Sequence, residues 1–190
     1  MKYMKLEYLL HYDAQVLWKY PAETVFRSVL GMHLRRLCCV LREQSCCASC
    51  PIKETCVYAW FFESYIPPST AVLQGRDRAS HPFVLEYDET DAYHARLSIV
   101  FMGKGRNFVP YVTAALERAG EAGISYERVP FRVEAVMCAG KPYSFSMEDL
   151  ESKSSSWPDA DMCGMSCPSL LVSFLTPVRY QEGGRYARTI

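Results

Sequence analysis

The chain has 190 residues, in which 21 Lys and Arg balance 21 Asp and Glu, and 49% of the residues are hydrophobic. This composition is that of a globular protein and excludes a disordered or fibrous chain. No run approaches about 18 consecutive apolar residues, which excludes a membrane-spanning helix. The first residues, MKYMKLE, include a glutamate where a signal peptide needs an apolar core, so we expect a cytoplasmic protein.

Charge is balanced overall but not along the chain. Residues 1–60 carry eight Lys and Arg against five Asp and Glu, an excess of +3. Proteins that bind nucleic acid usually present a basic surface to the phosphates. The neutral total argues against a chain-wide attraction for RNA or DNA, and it leaves the N-terminal third as the place for a small basic region.

The first half of the chain predicts a strand, a helix and a long loop. Residues 3–18 mix apolar and polar positions and are predicted to be extended. The cysteine-rich stretch 43–58 is predicted to be a loop. Between them, apolar residues that recur every three or four positions after Pro21 predict a helix of about 20 residues: Phe26, Leu30, Leu34, Leu37 and Leu41.

The second half returns to strands. Residues 81–87 and 95–102 are rich in β-branched and aromatic side chains and are predicted to be strands. A helix capped by Asn107 follows, and residues 129–137 form the next predicted strand. The order β-α-β-β-α-β predicts an α+β fold of the ferredoxin-like (RRM-like) type, an antiparallel sheet with both helices on one face.

Composition divides the chain into three parts. Residues 1–139 are the predicted ferredoxin-like domain, with a cysteine-rich and loop insertion over 43–80 after the first helix. Residues 140–168 are rich in Ser, Asp and Gly and are predicted to be a linker. Residues 169–190 are predicted to begin a truncated second domain, with its first strand at 170–176.

Several segments in the same order resemble the CRISPR repeat-processing endoribonucleases of the RAMP superfamily. The resemblance extends over nearly the whole chain. The segments are 26–37 (FRSVLGMHLRRL), 47–50 (CASC), 56–63 (CVYAWFFE), 82–86 (PFVLE), 101–124 (FMGKGRNFVPYVTAALERAGEAGI) and 174–179 (FLTPVR).

The resemblance implies two tandem ferredoxin-like domains that bind CRISPR repeat RNA and process it into guide RNA. In that family the 2′-hydroxyl attacks the adjacent phosphate without a metal or other cofactor, and a histidine on the first helix is the usual acid/base group. The implied partners are the repeat RNA and other CRISPR-associated proteins. The family's glycine-rich RNA-contacting loop belongs to the second domain, so these 190 residues alone are expected to be inactive.

His33 is the candidate catalytic residue. It lies roughly 60° around the helix from the centre of the apolar stripe, at the edge of the buried face. An imidazole there can exchange a proton with a 2′-hydroxyl or a leaving 5′-oxygen, and Arg36, three residues on, can steady the phosphate charge. The alternative is a boundary histidine that is hydrogen-bonded to backbone.

Four cations supply candidate phosphate contacts, and the alternative for all of them is a solvated surface without RNA. They are Arg35, Arg36, Arg42 and Lys53.

The nine cysteines predict a metal site rather than a disulfide framework, because their number is odd and no secretion signal is found. Six of them lie between residues 38 and 56. Four thiolates complete a tetrahedral shell for structural Zn²⁺; an iron–sulfur cluster and reduced buried thiols are the alternatives. The predicted ligands are Cys39, Cys47, Cys50 and Cys56.

Three functions therefore remain open at this point. The first is the repeat-processing endoribonuclease that the resemblance implies. The second is a non-catalytic RNA-binding RAMP subunit of a CRISPR effector complex. The third is a zinc-bearing interaction module with no role in RNA binding.

Overall fold

The computed structural model describes residues 2–41, 46–66, 78–156, 181–182 and 185–186. The chain divides into two compact units, Met1–Trp157 and Pro158–Ile190. In the second unit, the described residues form a short antiparallel hairpin of β7 (Gln181–Glu182) and β8 (Arg185–Tyr186). The predicted strand at 170–176 lies outside the described residues.

The first unit is built on an open antiparallel sheet of six strands, which confirms the predicted α+β class. The strands follow the order β2-β3-β1-β4-β5, and β6 pairs with the first residues of β1 beyond the end of β4. Their bounds are β1 Lys2–Tyr12, β2 Phe83–Glu89, β3 His94–Met102, β4 Phe131–Cys138, β5 Lys141–Pro142 and β6 Ser155–Ser156.

One face of the sheet is buried and the other is open. The even-numbered side chains of β1, from Met4 to Tyr12, are at most 2% exposed, because alternate residues of a strand point to opposite faces. On the open face, ion pairs link the strands: Lys5 Nζ on β1 lies 2.5 Å from Glu86 Oε2 on β2, across the intervening β3, and Arg96 on β3 lies 3.0 Å from Asp88 on the adjacent β2. The core therefore sits between the sheet and the helices.

The first helix, α1, spans Ala22–Cys38. Three residues of the predicted apolar stripe are fully buried against the sheet: Phe26, Leu30 and Leu34. Cys39 is extended, so the helix ends before the predicted stripe does, and Leu41 is 38% exposed.

The second helix, α2, spans Val109–Ala122 and follows a 3-10 turn at Gly103–Phe108. Because this turn includes Asn107, the helix is preceded directly by Phe108 and the predicted Asn107 cap is not formed. The helix ends at Gly123, whose φ of 81° is in the left-handed region.

Composition predicts a linker from residue 140. In the structure, the first part of this region forms ordered elements of the first unit. After β5, a short helix, α3, spans Met147–Ser152, and β6 follows. The Ser146 hydroxyl accepts a hydrogen bond from the backbone N–H of Asp149 at 3.0 Å, which caps this helix. Lys153 Nζ then donates to the Pro142 carbonyl at 2.7 Å and ties the end of the helix to β5.

Candidate functional site

A groove of about 710 Å³ lies between α1 and the turn that follows α2. Three parts of the chain line it: the segment before α1, one face of α1, and the end of α2 with its turn. The lining residues are Trp18, Lys19, Tyr20, Val25, Val29, Met32, His33, Arg36, Ala122, Gly123, Ser125, Tyr126 and Arg128.

The α1 side of the groove follows from helical spacing. Val25, Val29 and Met32 recur at intervals of four and three residues and form a half-exposed apolar strip. His33 and Arg36 continue this strip towards the end of the helix. The stripe buried against the sheet is a neighbouring face of the same helix, which is why residues at the edge between the two faces reach the groove.

The opposite side of the groove is a tight four-residue turn, residues 125–128. Ile124 and Val129 close it through two backbone hydrogen bonds of 2.8 and 2.9 Å. Ser125 and Arg128 adopt φ of 66° and 54°, a left-handed conformation that is costly for residues other than glycine. The closure fixes the turn, and it leaves the Tyr126 side chain 82% exposed at the rim of the groove.

His33 is 5% exposed, and its Nε2 has no hydrogen-bond partner within the described part of the chain. Burial lowers the pKa of this imidazole, and the charges of Arg36 and Arg118 lower it further. His33 is therefore neutral at pH 7, the form in which an imidazole nitrogen can accept a proton. The structure brings the two predicted catalytic residues, His33 and Arg36, into one groove.

Ser125 supplies a second buried polar atom without a partner among the described residues, its Oγ. Buried polar atoms are nearly always hydrogen-bonded in folded proteins. Two of the three such atoms in the described part of the chain belong to residues that line the groove, His33 and Ser125, and the third is Nδ1 of His11 on β1. A polar ligand that reached the two buried atoms beside the groove would complete their hydrogen bonding.

Aromatic and cationic side chains surround these two atoms. The Lys19 ammonium nitrogen lies 4.0 Å from the centre of the Tyr126 ring, and Tyr20 is 70% exposed. Arg36 and Arg128 add two guanidinium groups to the lining. Of these residues the sequence pattern predicts Arg36 alone, although WKY at 18–20 places Lys19 between two aromatic residues and YER at 126–128 places Tyr126 two residues before Arg128.

The other predicted RNA-binding cations lie elsewhere. Arg35 lies 5.7 Å from the Tyr58 ring, and Lys53 lies 5.6 Å from the Tyr65 ring, so both meet the cysteine-rich insertion. Arg42 is outside the described residues. Of the predicted cations that the structure describes, Arg36 is the one that lines the groove.

The cysteine-rich insertion begins with a tight turn. Cys47–Ser49 form a 3-10 turn, and the Cys50 N–H bonds the Cys47 carbonyl at 3.2 Å. This geometry is typical of a C-x-x-C pair. All four predicted metal ligands lie in the described part of the chain as free, half-buried thiols.

Burial and neighbouring acidic groups raise the pKa of two thiols in this region. Burial and the thiols of Cys56 and Cys39 raise the pKa of Cys38 to about 11. Burial and the Glu63 carboxylate raise the pKa of Cys47, with smaller contributions from the same two cysteines. Across residues 2–41, 46–66 and 78–156, however, no group of three or more His, Cys, Asp or Glu is arranged to hold a metal ion.

The aromatic residues at 58–62, within the insertion, pack inward. Ala59–Glu63 form a π-helical turn that buries Phe61 in the core. Phe62 stacks on Tyr58 at 5.5 Å and touches α1, where a Cβ at Gly31 would lie 3.0 Å from the Phe62 ring. This turn therefore anchors the insertion to α1.

The remaining histidines lie outside the groove lining. His81 Nδ1 is 3.0 Å from the Phe61 carbonyl oxygen, and burial lowers the pKa of this histidine. His94 Nδ1 is 2.9 Å from Asp91 Oδ1, and its ring contacts that of His11 at 4.8 Å. Each of these three histidines therefore makes contacts that are separate from the surroundings of His33.

Residues 1–154 match the model of the AF_1859_N family, which is described as an N-terminal domain. The chain belongs to this family, and the matched residues contain the sheet up to β5 and both sides of the groove. No curated protein matches the chain. Over the residues that the structure describes, no helix is long and apolar enough to cross a membrane.

Proposed function

We propose that the protein is a CRISPR-associated endoribonuclease that processes repeat-containing RNA, with His33 as the proton-transfer group and Arg36 as the phosphate contact. The observation that carries the proposal is the nearly buried His33, which has a lowered pKa, lines one groove together with Arg36, and has an Nε2 without a hydrogen-bond partner among the described residues. The partners in this proposal are the repeat RNA and other CRISPR-associated proteins, in the cytoplasm.

The arrangement of the sheet supports a ferredoxin-like domain of the RAMP type. The elements β1, α1, β2, β3, α2 and β4 follow one another along the chain, and the four strands lie in the order β2-β3-β1-β4. Alternation of hydrogen-bonded strands with helices on one face is the pattern expected for that fold. The strands β5 and β6 extend the sheet beyond it.

The chemistry follows from the position of the imidazole. His33 Nε2 accepts the 2′-hydroxyl proton while O2′ forms a bond to phosphorus and the bond from phosphorus to the 5′-oxygen breaks. A proton then passes to the leaving 5′-oxygen, so the products are a 2′,3′-cyclic phosphate and a 5′-hydroxyl. The Arg36 guanidinium balances the charge that develops on the phosphate oxygens. The balanced step consumes no cofactor.

The described open face of the sheet differs from the face of an RNA-binding sheet, and this difference favours the groove as the RNA site. RNA-binding sheets of this type stack bases on exposed aromatic side chains. The described open face instead carries ion pairs, among them Lys5 with Glu86 and Arg96 with Asp88. Two highly exposed aromatic rings, Tyr20 and Tyr126, lie at the groove.

The test is cleavage of the repeat RNA from the protein's own CRISPR array by the protein as its gene encodes it, with the 190-residue chain in parallel. His33→Ala is expected to lower the rate about 100-fold or more, because general acid–base catalysis contributes 10²–10⁴-fold. His94→Ala, at a half-exposed histidine outside the groove, is the matched control. Product analysis for a cyclic phosphate, in the presence of EDTA, identifies the chemistry.

Two outcomes would overturn the proposal. Cleavage by His33→Ala at the wild-type rate would remove the catalytic assignment. Tight binding of the repeat without cleavage by the wild-type protein would make it the non-catalytic RNA-binding subunit.

We also propose that the cysteine-rich insertion holds a structural Zn²⁺ through Cys39, Cys47, Cys50 and Cys56. The tight turn at 47–50, which is typical of a C-x-x-C pair, and the four free, half-buried thiols support this assignment. A metal would also stabilise a long insertion that has few regular elements. In the alternative function, a zinc-bearing interaction module, the protein has this same zinc site and does not bind RNA.

A further inference from the structure

We infer that the groove contains a subsite for one unstacked nucleobase, in which the Tyr126 ring stacks on the base and Ser125 hydrogen-bonds to its edge. The inference rests on the proposed function, because it assigns the recognition of the RNA next to the cleaved phosphate. It concerns residues that the proposed chemistry does not use.

Exposed aromatic rings at the rim of the groove are the first argument. Tyr126 is 82% exposed and Tyr20 is 70% exposed, although both line a concave site. An exposed ring beside a groove gains contact area when a flat ligand covers it, and nucleobases stack readily on tyrosine.

The place of Tyr126 beside a cation is the second argument. Its backbone belongs to the closed turn 125–128, and the Lys19 ammonium lies 4.0 Å from the centre of its ring. Lys19 precedes α1 and Tyr126 follows α2, so packing of the two helices brings these residues together. A base stacked on this ring would therefore have a cation close by for its phosphate.

The unpartnered polar atoms are the third argument. Ser125 precedes Tyr126 in the turn, and its buried Oγ can both donate and accept a hydrogen bond. The edge of a nucleobase offers donors and acceptors in the plane of the ring, next to the stacked face. A base on Tyr126 would supply the missing partner of Ser125 if its edge displaced the groups that cover this Oγ, and this is the contact that we infer.

The surrounding charge indicates a nucleotide rather than a neutral aromatic ligand. Lys19, Arg36 and Arg128 all line the groove, and no acidic side chain is among its lining residues in the described part of the chain. These cations are placed to meet phosphates on either side of a bound base. Because only an unstacked base offers both a free face and a free edge, the ligand is single-stranded RNA.

The subsite shares its groove with His33, so it would hold the nucleotide close to the cleaved phosphate. Stacking of that base would orient the 2′-hydroxyl relative to the imidazole. Tyr126 and Ser125 are accordingly positioning residues, and their effect is expected on binding and on the choice of cleavage position.

The experiment measures binding of a single-stranded RNA octamer with 2′-O-methyl groups, which cannot be cleaved, and one 2-aminopurine among uridines. Wild-type protein is expected to bind it and to quench the 2-aminopurine fluorescence by stacking. Tyr126→Leu is expected to weaken binding about 10-fold and to abolish the quenching, since stacking on an aromatic side chain is worth 1–3 kcal/mol per base. Tyr126→Phe is expected to restore both.

Two controls separate stacking from general electrostatics. Tyr93→Leu removes a half-exposed tyrosine from the β2–β3 turn, outside the groove, and is expected to bind as wild type does. An octamer that lacks the base at the probed position is expected to bind about 10-fold more weakly than the intact octamer. Equal binding of both octamers, or wild-type quenching by Tyr126→Leu, would overturn the subsite.

These results are independent of the cleavage test. If Tyr126→Leu binds and quenches as wild type does while His33→Ala fails to cleave, the subsite is wrong and the proposed function stands. If stacking depends on Tyr126 while His33→Ala cleaves at the wild-type rate, the subsite stands and the catalytic assignment is wrong.

Discussion

The hydroxyl of Tyr8 on β1 lies 3.0 Å from Thr113 Oγ1 on α2, in the buried core. Thr113 donates its single proton to the Val109 carbonyl, also at 3.0 Å, so Tyr8 is the donor in the shared hydrogen bond. Burial is the main reason that the pKa of Tyr8 is raised, and the tyrosine therefore keeps its proton. This bond joins the central strand to the helix whose end carries one wall of the groove.

We expect Thr113→Val to lower the free energy of unfolding by about 1–3 kcal/mol, because it leaves the Tyr8 hydroxyl buried without an acceptor. Tyr8→Phe is expected to cost about 1 kcal/mol, since Thr113 keeps its bond to the Val109 carbonyl. Urea unfolding monitored by circular dichroism measures both. Thr24→Val, at an exposed position of α1, is the control, and equal stability of it and Thr113→Val would contradict the prediction.

A second stability prediction concerns the contact of α2 with β4. A Cβ at Gly120 would lie 2.1 Å from the Phe131 carbonyl oxygen, so the backbone would have to move. We expect Gly120→Ala to destabilise the protein by about 2–3 kcal/mol, despite the higher helix propensity of alanine. Glu121→Ala, at the exposed neighbouring position, is expected to stay within about 0.5 kcal/mol of wild type in the same urea unfolding assay.

These two contacts show which parts of the fold were accessible from sequence. The apolar stripe of Phe26, Leu30 and Leu34 predicts α1 because burial at helical spacing is a local pattern. The end of the helix was missed by three residues, since Leu41 continues the spacing while the extended Cys39 has already ended the helix. The role of Gly120 could not be predicted, because its close approach to β4 is a tertiary contact that no local pattern contains.

The candidate site was only partly predictable for the same reason. His33 and Arg36 share one face of α1, so their spacing in the sequence already predicts that they lie close together. Lys19 and Tyr126 are far apart in the sequence, and only the packing of α1 against α2 makes them neighbours in space. Arg35, adjacent to Arg36 in sequence, faces the insertion because consecutive residues of a helix point about 100° apart.

This difference between neighbours gives a prediction for RNA cleavage. Arg36→Ala is expected to lower the cleavage rate about 10- to 100-fold, because it removes a guanidinium from the groove beside His33. Arg35→Ala is the matched control and is expected to cleave at nearly the wild-type rate, since Arg35 contacts Tyr58. Single-turnover kinetics on the same RNA compares them. A larger loss from Arg35→Ala than from Arg36→Ala would contradict the assignment.

The two histidines with lowered pKa values predict how stability depends on pH. Burial is the main cause for both; Arg36 and Arg118 contribute at His33, and Arg27 is the main charge that contributes at His81. Each folded-state pKa lies below the unfolded value of about 6.5, so between these values the unfolded chain binds more protons. Stability contributed by the neutral histidines is therefore present above about pH 6.5 and is lost as pH falls.

The measurement is the free energy of unfolding in urea at pH 7.5, 6.5, 5.5 and 5.0. We expect His33→Gln and His81→Gln each to reduce the fall in stability between pH 7.5 and 5.0. The contribution of one histidine cannot exceed about 1.4 kcal/mol per pH unit. A pH dependence unchanged in both variants would show that neither imidazole is held neutral by its surroundings.

The zinc proposal predicts the metal content of protein purified without added metal. About one zinc ion per chain is expected, with loss of the ion on treatment with a chelator and a decrease in thermal stability. Cys47→Ser and Cys50→Ser are expected to abolish binding, and Cys138→Ser, outside the insertion, is the control. Less than about 0.2 zinc or iron per chain in the wild-type protein would count against the site.

The pairing of β6 with β1 places Ser156 opposite Lys2, so the first unit begins and ends at the same corner of its sheet. A short link between these residues would close the unit into a ring without crossing the core or the groove. New ends could then be opened in the exposed β2–β3 turn at residues 90–93, away from Tyr126 and His33. The domain is thus suited to circular permutation and to insertion as a whole into a loop of another protein.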